Sequence, residues 1–505
     1  MLNLHAPAEA VGWLRGLVTG TLQTDSRLVR QGDGFIAWPG AATDGRLHVP
    51  EALARGATAC LVERDGADRF QFDQLGGVVA TYASLKAATG PLAALYFGEP
   101  SRQLEVLAVT GTNGKTTTTW WLSQALSNLT GRRAVPCAVI GTLGAGQPPD
   151  LVFNGMTTPD PVLLQRQFRQ FVDIGVKACA IEASSIGVAE GRLDGTRIAV
   201  AVFTNFTQDH LDYHGTMEAY WEAKKRLFGW SELRAAVVNV DDARGRSLSR
   251  YLTGRDLPCW TYSINGEASL VARSLQYDDQ GLEFTVVEGA NEIPMRHHVI
   301  GRFNVSNLLA VLGTLRALGV ALQDAISACD SLTAVPGRLE SVIKPGRPLV
   351  VIDYAHTPDA LVKVLATLRP LADRREGRLW CLFGCGGDRD TAKRPLMGAA
   401  AEQGADVVVL TSDNPRSESP AAIIGQIAAG LARPERAQIE LNRSTAISRV
   451  LEHAGEKDVI LLAGKGHEDY QEVQGVRHPF SDKSQVEKCW EQGDQVADIS
   501  RGGVA

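Results

Sequence analysis

A chain of 505 residues, 44% hydrophobic and 21% charged, has the composition of an ordinary globular protein and enough apolar material for roughly three domains. Its formal charge of −6 at pH 7 excludes a general attraction for nucleic acid or anionic membrane, while leaving small anionic ligands open. No apolar run approaches the ~18–20 residues of a membrane span, residues 1–19 carry no basic leader, and the eight cysteines lack paired CxxC spacing, so a cytoplasmic chain with free thiols and no membrane insertion is expected.

From Gly20 to about Gly98, the short apolar runs Phe35-Ile36-Ala37 and Ala59-Cys60-Leu61-Val62 alternate with turn residues and one helical stretch, 50–56. This predicts a small α/β domain over residues 1–100. Within it, Thr24-Asp25-Ser26-Arg27 precedes Gly32-Asp33-Gly34-Phe35, a segment that serves either as plain turn chemistry or as polar side chains free to meet a ligand. The breaker cluster Phe97-Gly98-Glu99-Pro100-Ser101 closes the domain and opens a second, 101–336.

There an apolar run, 104–109, leads into Gly111-Thr112-Asn113-Gly114-Lys115-Thr116-Thr117 and a helix from about Thr116. The glycines let backbone N–H groups converge on an anion, the helix start adds its positive dipole end, Lys115 can reach outer phosphates, and Thr116 or Thr117 can ligate Mg²⁺. The full Walker pattern wants a glycine where this chain has Val109, so only its second half is matched; it says nucleotide, not reaction, and a glycine turn with a surface lysine is the plain alternative. Runs at 178–181, 199–203 and 235–240 alternate with helical stretches and predict a largely parallel sheet covered on both faces. Ligands of such sheets bind at the carboxyl ends of the strands. Those ends carry Glu182, the segment from Asn205 to His210, and Asp241-Asp242. Glu182 and His210 are candidates to share a metal, against the commoner fate of a lone histidine as a structural one. Lys224, in the helical stretch 217–228, reads by its chemistry as a surface lysine, because an ammonium is unwelcome beside Mg²⁺.

Val335-Pro336-Gly337-Arg338 opens a third domain, 337–505, where runs at 349–352, 379–383, 406–410 and 459–463 predict a second, Rossmann-like α/β sheet. Its strand ends carry Asp353-Tyr354-Ala355-His356, the stretch from Gly384 to Asp390, Ser412-Asp413-Asn414-Pro415-Arg416 and Gly464-Lys465-Gly466-His467-Glu468-Asp469. Residues 500–505 are expected to fray. Taken alone, Asp413 to Arg416 reads as a helix-entry turn, with Asp413 or Asn414 capping and Arg416 solvated.

Residues 111–117, Glu182, Asn205 with Asp209-His210-Leu211-Asp212-Tyr213-His214, Asn304 with Asn307, Gly337-Arg338 and Asp353-Tyr354-Ala355-His356 together resemble the Mur ligases along nearly the whole chain. Cys385 to Asp390, Asp413 to Arg416 and Gly464 to Glu468 resemble the members that add meso-diaminopimelate. The resemblance implies a domain gripping a uridine nucleotide, a central phosphate-loop ATPase domain, and a C-terminal domain bringing the amino acid, with a hinge at 335–338. The implied reaction joins meso-diaminopimelate to the D-glutamate of UDP-N-acetylmuramoyl-L-alanyl-D-glutamate. The carboxylate attacks the γ-phosphate of ATP, and the amine then attacks the resulting acyl phosphate.

By the same resemblance, Ser26 and the Gly40 to Thr43 loop face the uridine, and Thr157, Thr158, Ser184 and Arg192 contact the muramoyl peptide. Glu190 is placed with them as a substrate ligand, although Ile186 and Glu190 stand where related enzymes often show His and Gln. Gly111, Thr112, Asn113, Gly114, Lys115, Thr116, Thr117, Asn304, Arg338 and Asp353 meet ATP. Mg²⁺ is held by Thr116, Glu182, His210 and a CO₂-derived carbamate on Lys224. Arg389, Asp413, Asn414, Pro415, Arg416, Gly464 and Glu468 meet diaminopimelate. Lys115, Lys224, His210 and Glu182 are the implied catalytic set, and a monomer is expected. Against this stand a phosphate-loop NTPase that switches a partner, a non-catalytic nucleotide-binding module, a lysine-adding ligase and a folylpolyglutamate synthetase-like enzyme.

Overall fold

The computed structural model describes residues 2–40, 43–131, 134–278 and 281–502. Three principal sheets organise the chain. The first is wholly parallel, in the order Leu2–Leu4, Val79–Tyr82, Ala59–Glu63, Gly34–Ala37, Leu22–Gln23. Helices Pro7–Leu17 and Leu85–Tyr96 cover one face through Ala10, Leu14, Leu85 and Leu92.

The second sheet has eleven strands. Its middle is the parallel array Ala235–Asn239, Val200–Phe203, Glu105–Thr110, Ala178–Glu182, Cys137–Gly141, so Glu105–Thr110 has a parallel neighbour on each side. Nearly every side chain of these strands is buried, as expected of runs with helices on both faces. The expectation of a largely parallel sheet holds for these strands and gives way at one edge. Gly144–Gln147 and Asp150–Val152 fold back antiparallel on Cys137–Gly141, because only Thr142 and Leu143 separate the first two strands and a two-residue connection permits nothing but a hairpin. Cys259–Ser263, Leu270–Asp278, Gly281–Glu288 and Asn291–His297 extend the other edge. Helix Lys115–Asn128 is buried from Thr116 to Ser123, as befits a helix enclosed on all sides.

The third sheet runs Glu340–Val342, Leu349–Asp353, Val459–Ala463, Leu379–Phe383, Val407–Leu410, Gln438–Ile439, parallel except for the first pair. Strand alternation divides it into two cores. Leu349, Val351, Cys381, Phe383, Leu461 and Ala463 face helices Pro358–Arg374, Lys393–Gly404 and Pro420–Ala428, whereas Val350, Ile352, Trp380, Leu382, Ile460 and Leu462 face Arg443–His453 and Asp482–Gly502. The last helix continues to Gly502, where fraying from Ser500 was expected; residues 503–505 lie outside the described residues. By contacts the chain forms two units, one holding nearly all of the first two sheets with Phe303–Leu332, the other holding 281–282, His298–Arg302 and the residues from Thr333.

Inside the second unit, Arg443 and Asp482 are both fully buried. The guanidinium meets both carboxylate oxygens, at 2.8 and 2.7 Å, and donates to Ala463 O at 3.0 Å. This ties the last helix to the end of strand Val459–Ala463. Arg443→Met strands a buried carboxylate and is expected to cost about 3–5 kcal/mol in urea denaturation, with much of the loss recovered by pairing it with Asp482→Leu.

Candidate active site

After the strand Glu105–Thr110 the backbone turns through Gly111 (φ +149°) and Gly114 (φ +85°). A Cβ on the first would stand 1.9 Å from Thr204 Oγ1, and on the second 2.5 Å from Asn307 Oδ1, so both places are closed to a side chain. The neighbouring strand end fixes the loop from outside. Thr204 Oγ1 and Asn205 Nδ2 donate to Asn113 O, at 2.6 and 3.0 Å, and Asn205 Oδ1 accepts from Asn113 N at 2.9 Å. The first turn of helix Lys115–Asn128 follows directly, and its N–H groups have no carbonyl within the helix to meet. Lys115 Nζ arches over the turn, donating to Gly111 O at 3.0 Å and Thr112 O at 2.8 Å.

A second lysine reaches the same carbonyl. Lys224, on helix Met217–Lys225, is 1% exposed, donates to Gly111 O at 2.7 Å and lies 4.5 Å from the Tyr220 ring centroid. Burial pushes its amine well below the usual lysine range, the charge of Lys115 adds to the effect, and Asp209 opposes it. The surface reading of Lys224 is overturned.

Glu182, 1% exposed at the end of its strand, accepts from Thr142 N at 2.8 Å and Thr142 Oγ1 at 3.3 Å. It lines a cavity with Thr116, Thr119, Gly141 and Gly144. Thr158 Oγ1 donates to Glu182 O at 2.7 Å and lies 2.9 Å from Ser184 Oγ, while Arg192 donates to Thr158 O at 2.9 Å. Thr157 Oγ1 lies 3.1 Å from Thr142 Oγ1. Thr157, Thr158, Glu182, Ser184 and Arg192 thus form one connected network. His210 is not among the residues lining that cavity. It sits at φ +50°, with a 40% exposed ring 3.5 Å from Asp209. The turn after it is pinned by His214 Nε2, 3.0 Å from Ser185 Oγ, and by the Tyr213 hydroxyl on Glu190. Glu190 also pairs with Lys86 at 2.6 Å, and these two partners hold its carboxyl below the ordinary range.

Among the described residues no three His, Cys, Asp or Glu side chains come together as a metal cage. One carboxylate and one hydroxyl beside a phosphate-type loop nonetheless suit Mg²⁺, which takes few protein ligands and completes its shell with water and phosphate oxygens.

In the second unit, Asp353 is 8% exposed and accepts from Leu339 N at 2.8 Å; burial raises its carboxyl, opposed by Arg338. The Tyr354 ring lies 5.2 Å from Arg338 Cζ and 5.3 Å from the His467 ring. Asn414, 2% exposed, is a junction. Its Oδ1 accepts from Lys465 Nζ at 3.1 Å and Glu472 N at 2.9 Å, its Nδ2 donates to Glu468 Oε2 at 2.8 Å, and its carbonyl accepts from Gly387 N at 2.9 Å. Lys465, fully buried, also meets Glu468 Oε2 at 3.1 Å. Arg416 donates from Nη1 to Gly387 O at 2.7 Å, and a Cβ built on Gly386 would meet Arg416 Nη1 at 3.1 Å and Arg389 Cγ at 3.8 Å. The two guanidinium-bearing chains therefore flank Gly386.

The Mur ligase middle domain model matches residues 109–315, the Mur ligase glutamate ligase domain model 337–466, and the Mur ligase family catalytic domain model 20–90. The chain is similar to UDP-N-acetylmuramoyl-L-alanyl-D-glutamate–2,6-diaminopimelate ligase of Acidovorax sp. (strain JS42), 57% identical over 98% of both chains. It is 46% identical to the like-named ligase of Pseudomonas aeruginosa, over 94% of this chain and 96% of that one. A solved structure of such a ligase, 37% identical, superposes with TM-score 0.68 over 94% of this chain and 95% of that one. The chain belongs to the Mur ligase family.

Its three α/β domains are thus those of a Mur ligase, the first sheet parallel and the other two mixed. The structure joins Lys115, Lys224 and the Gly111 to Thr117 loop, joins Thr116 with Glu182, and sets Asn304 Oδ1 3.0 Å from the Asn307 amide beside Gly114. Ser26 is 6% exposed and donates to Glu51 at 2.9 Å; Ala41 and Ala42 lie outside the described residues. The helix-entry reading of Asp413 to Arg416 fails. The next helix starts only at Pro420, Asp413 accepts from Asn414 N, and Arg416 is held by Gly387 O. Sequence reasoning missed Thr142, Arg394 and Glu418, and named Lys465 only within its loop without a role. Of these only Lys465, set between two glycines after an apolar run, carried a local signal.

His467 generates a pH dependence. Burial, then the Arg338 charge, pushes its imidazole down to about 4 from 6.5, and its buried Nδ1 has no hydrogen-bond partner among the described residues. The unfolded chain therefore binds the proton first, and stability falls as pH drops from 6.5 through about 4. Urea midpoints of the wild type should fall across that window, and His467→Gln should flatten the decline.

Proposed function

We propose that this chain uses ATP to join meso-diaminopimelate to the D-glutamyl carboxylate of UDP-N-acetylmuramoyl-L-alanyl-D-glutamate, supplying a peptidoglycan precursor. The observation that carries this is the 57% identity, over 98% of both chains, to a relative whose name states those substrates. The site supports it with guanidinium groups and a carboxylate on one rim, the complement of an amino acid with two carboxylates and two ammonium groups.

On this reading residues 1–100 grip the uridine nucleotide, 101–336 form the phosphate-loop ATPase domain, and 337–505 form the Rossmann-like domain that receives the amino acid. The N–H groups of residues 111–117 and Lys115 receive the outer phosphates, with Asn304, Arg338 and Asp353 assigned to the rest of the nucleotide. Thr157, Thr158, Ser184 and Arg192 orient the muramoyl peptide. Glu190, engaged by Lys86 and Tyr213, acts as a brace rather than a ligand. The D-glutamyl oxygen attacks the γ-phosphorus, the bond to ADP breaks, and the amine then attacks the acyl carbonyl as phosphate leaves. Thr116, Glu182 and His210 would hold a Mg²⁺ and a carbamate on Lys224 would help hold a second, supplying positive charge beside the phosphates.

A release assay tests the reading. ADP should appear only when both the UDP-muramoyl dipeptide and meso-diaminopimelate are present, whereas an NTPase switch would hydrolyse ATP without them. In the same assay Arg416→Ala should lose meso-diaminopimelate far more than L-lysine. Lysine lacks the distal carboxylate and leaves Arg416 only Gly387 O and, at 3.7 Å, the Glu472 carboxylate as partners. Equal or better kcat/KM for L-lysine in the wild type would end the assignment.

The carbamate on Lys224 belongs to this proposal. A neutral amine is the form that adds to CO₂, forming the N–C bond and releasing a proton, and burial beside Lys115 favours that form. The product turns a cation into an anion with hard oxygen donors. Lys224→Ala should lose nearly all ligation and regain part of it with small carboxylates; full activity without them refutes the carbamate.

A further inference from the structure

Arg394 takes no part in the chemistry above, yet it is fully buried in the first turn of helix Lys393–Gly404. Its Nη1 and Nη2 donate to Glu418 Oε2 and Oε1, both at 2.8 Å. Nη1 also reaches Gln426 Oε1 at 2.6 Å, and Nη2 reaches Gly386 O at 3.0 Å. Glu418 Oε1 accepts a further bond from Asp388 N at 2.6 Å. Asp388, at φ +53°, accepts from Ser417 Oγ at 2.6 Å and Ser417 N at 3.2 Å. One ion pair therefore fixes both ends of the Gly386 to Asp388 turn and stitches it to residues 417–418.

That turn is what the two rim arginines depend on. Arg416 rests its Nη1 on Gly387 O, and Arg389 is the residue after Asp388. A Cβ on Gly387 would stand 1.9 Å from Pro415 O, so the two loops touch backbone to backbone with no slack between them. A buried guanidinium is a poor choice for stability alone, since well-packed apolar side chains usually serve as well. Here its bonds converge on Gly386 O and on the carboxylate that holds Asp388. The bonds from Arg394 keep the Glu418 carboxyl down at about 2, so the pair stays charged at any working pH.

We infer that Arg394, paired with Glu418, is a positioning residue that sets the spacing of Arg389 and Arg416 and thereby selects amino acids bearing two carboxylates. The inference rests on the proposed diaminopimelate site and deepens it; neither residue touches substrate.

Steady-state kinetics of the full-length wild type, Glu418→Gln and Arg394→Lys test it, with meso-diaminopimelate, L-lysine, ATP and the UDP-muramoyl dipeptide varied in turn and melting temperatures recorded. Both variants should raise KM for meso-diaminopimelate about tenfold or more, keep kcat within about threefold, and leave KM for ATP and the dipeptide unchanged. Preference for meso-diaminopimelate over L-lysine should fall by a similar factor. Lysine keeps the charge but not the fork, and if that variant fails to fold, Glu418→Gln decides. A folded Glu418→Gln with unchanged KM for the amino acid, and only a lower melting temperature or an equal loss of kcat with both amino acids, overturns the inference. A wild type that uses another amino acid refutes the proposed substrate instead, and the variants are then scored on the KM of that amino acid.

Discussion

Two lysine side chains end on the carbonyl oxygen of Gly111, one arching over the loop and one buried beneath it. Two ammonium ions so close to one oxygen repel each other, and the buried member also lacks the water that would screen it. The arrangement is relieved by an anion at the loop, by loss of a proton from Lys224, or by a modification that reverses its sign. The first of these is what a phosphate group would supply. The rigidity of the loop follows from the same demand. Thr204 and Asn205 fix Asn113 from the next strand, and Asn307 fills the space beside Gly114, so the polar N–H groups stay aimed without reorganisation when charge arrives.

The second unit solves a different problem with the same economy of parts. Asn414 uses its carbonyl and both ends of its amide to join Gly387, Lys465, Glu468 and Glu472, which come from two strand-end loops and the strand Tyr470–Val473. The amide orientation is set by two independent donors on its oxygen, so its NH₂ has no choice but Glu468. Fully buried Lys465, 3.1 Å from Glu468 Oε2, then keeps that carboxylate turned toward the junction. A carboxylate held in this way can recognise an ammonium without first paying for its own ordering.

How far the sequence was legible depends on the range of the cause. The phosphate-type loop and the apolar runs at 178–181, 349–352 and 459–463 are local patterns, and the strands lie where those runs are. The hairpin beyond Gly141 was not read, because its strands Gly144–Gln147 and Asp150–Val152 are short and partly exposed, the first of them glycine-rich. Lys224 illustrates the deeper limit. Helix Met217–Lys225 shows a polar lysine in its last turn, and nothing within ten residues says that Gly111 O, more than a hundred positions earlier, waits above it. Arg394 and Glu418 were invisible for the same reason: an arginine and a glutamate twenty-four residues apart look like two solvated charges until the fold brings them together.

The phosphate-type loop of the first unit and the rim of the second differ in what they would tolerate. Recognition at residues 111–117 is carried by the backbone, so its conditions are steric: a methyl group on Gly111 meets Thr204 at 1.9 Å whatever its chemistry. Recognition at the rim is carried by side chains resting on backbone carbonyls, as Arg416 rests on Gly387 O. A backbone cradle accepts or rejects phosphate as a class and offers little to adjust. A guanidinium on a fixed turn reads the position of a single carboxylate, and small shifts of the turn alter which amino acid fits. Selectivity within the family can therefore change at the turn from Gly386 to Asp388 and its buried ion pair while the phosphate loop stays as it is.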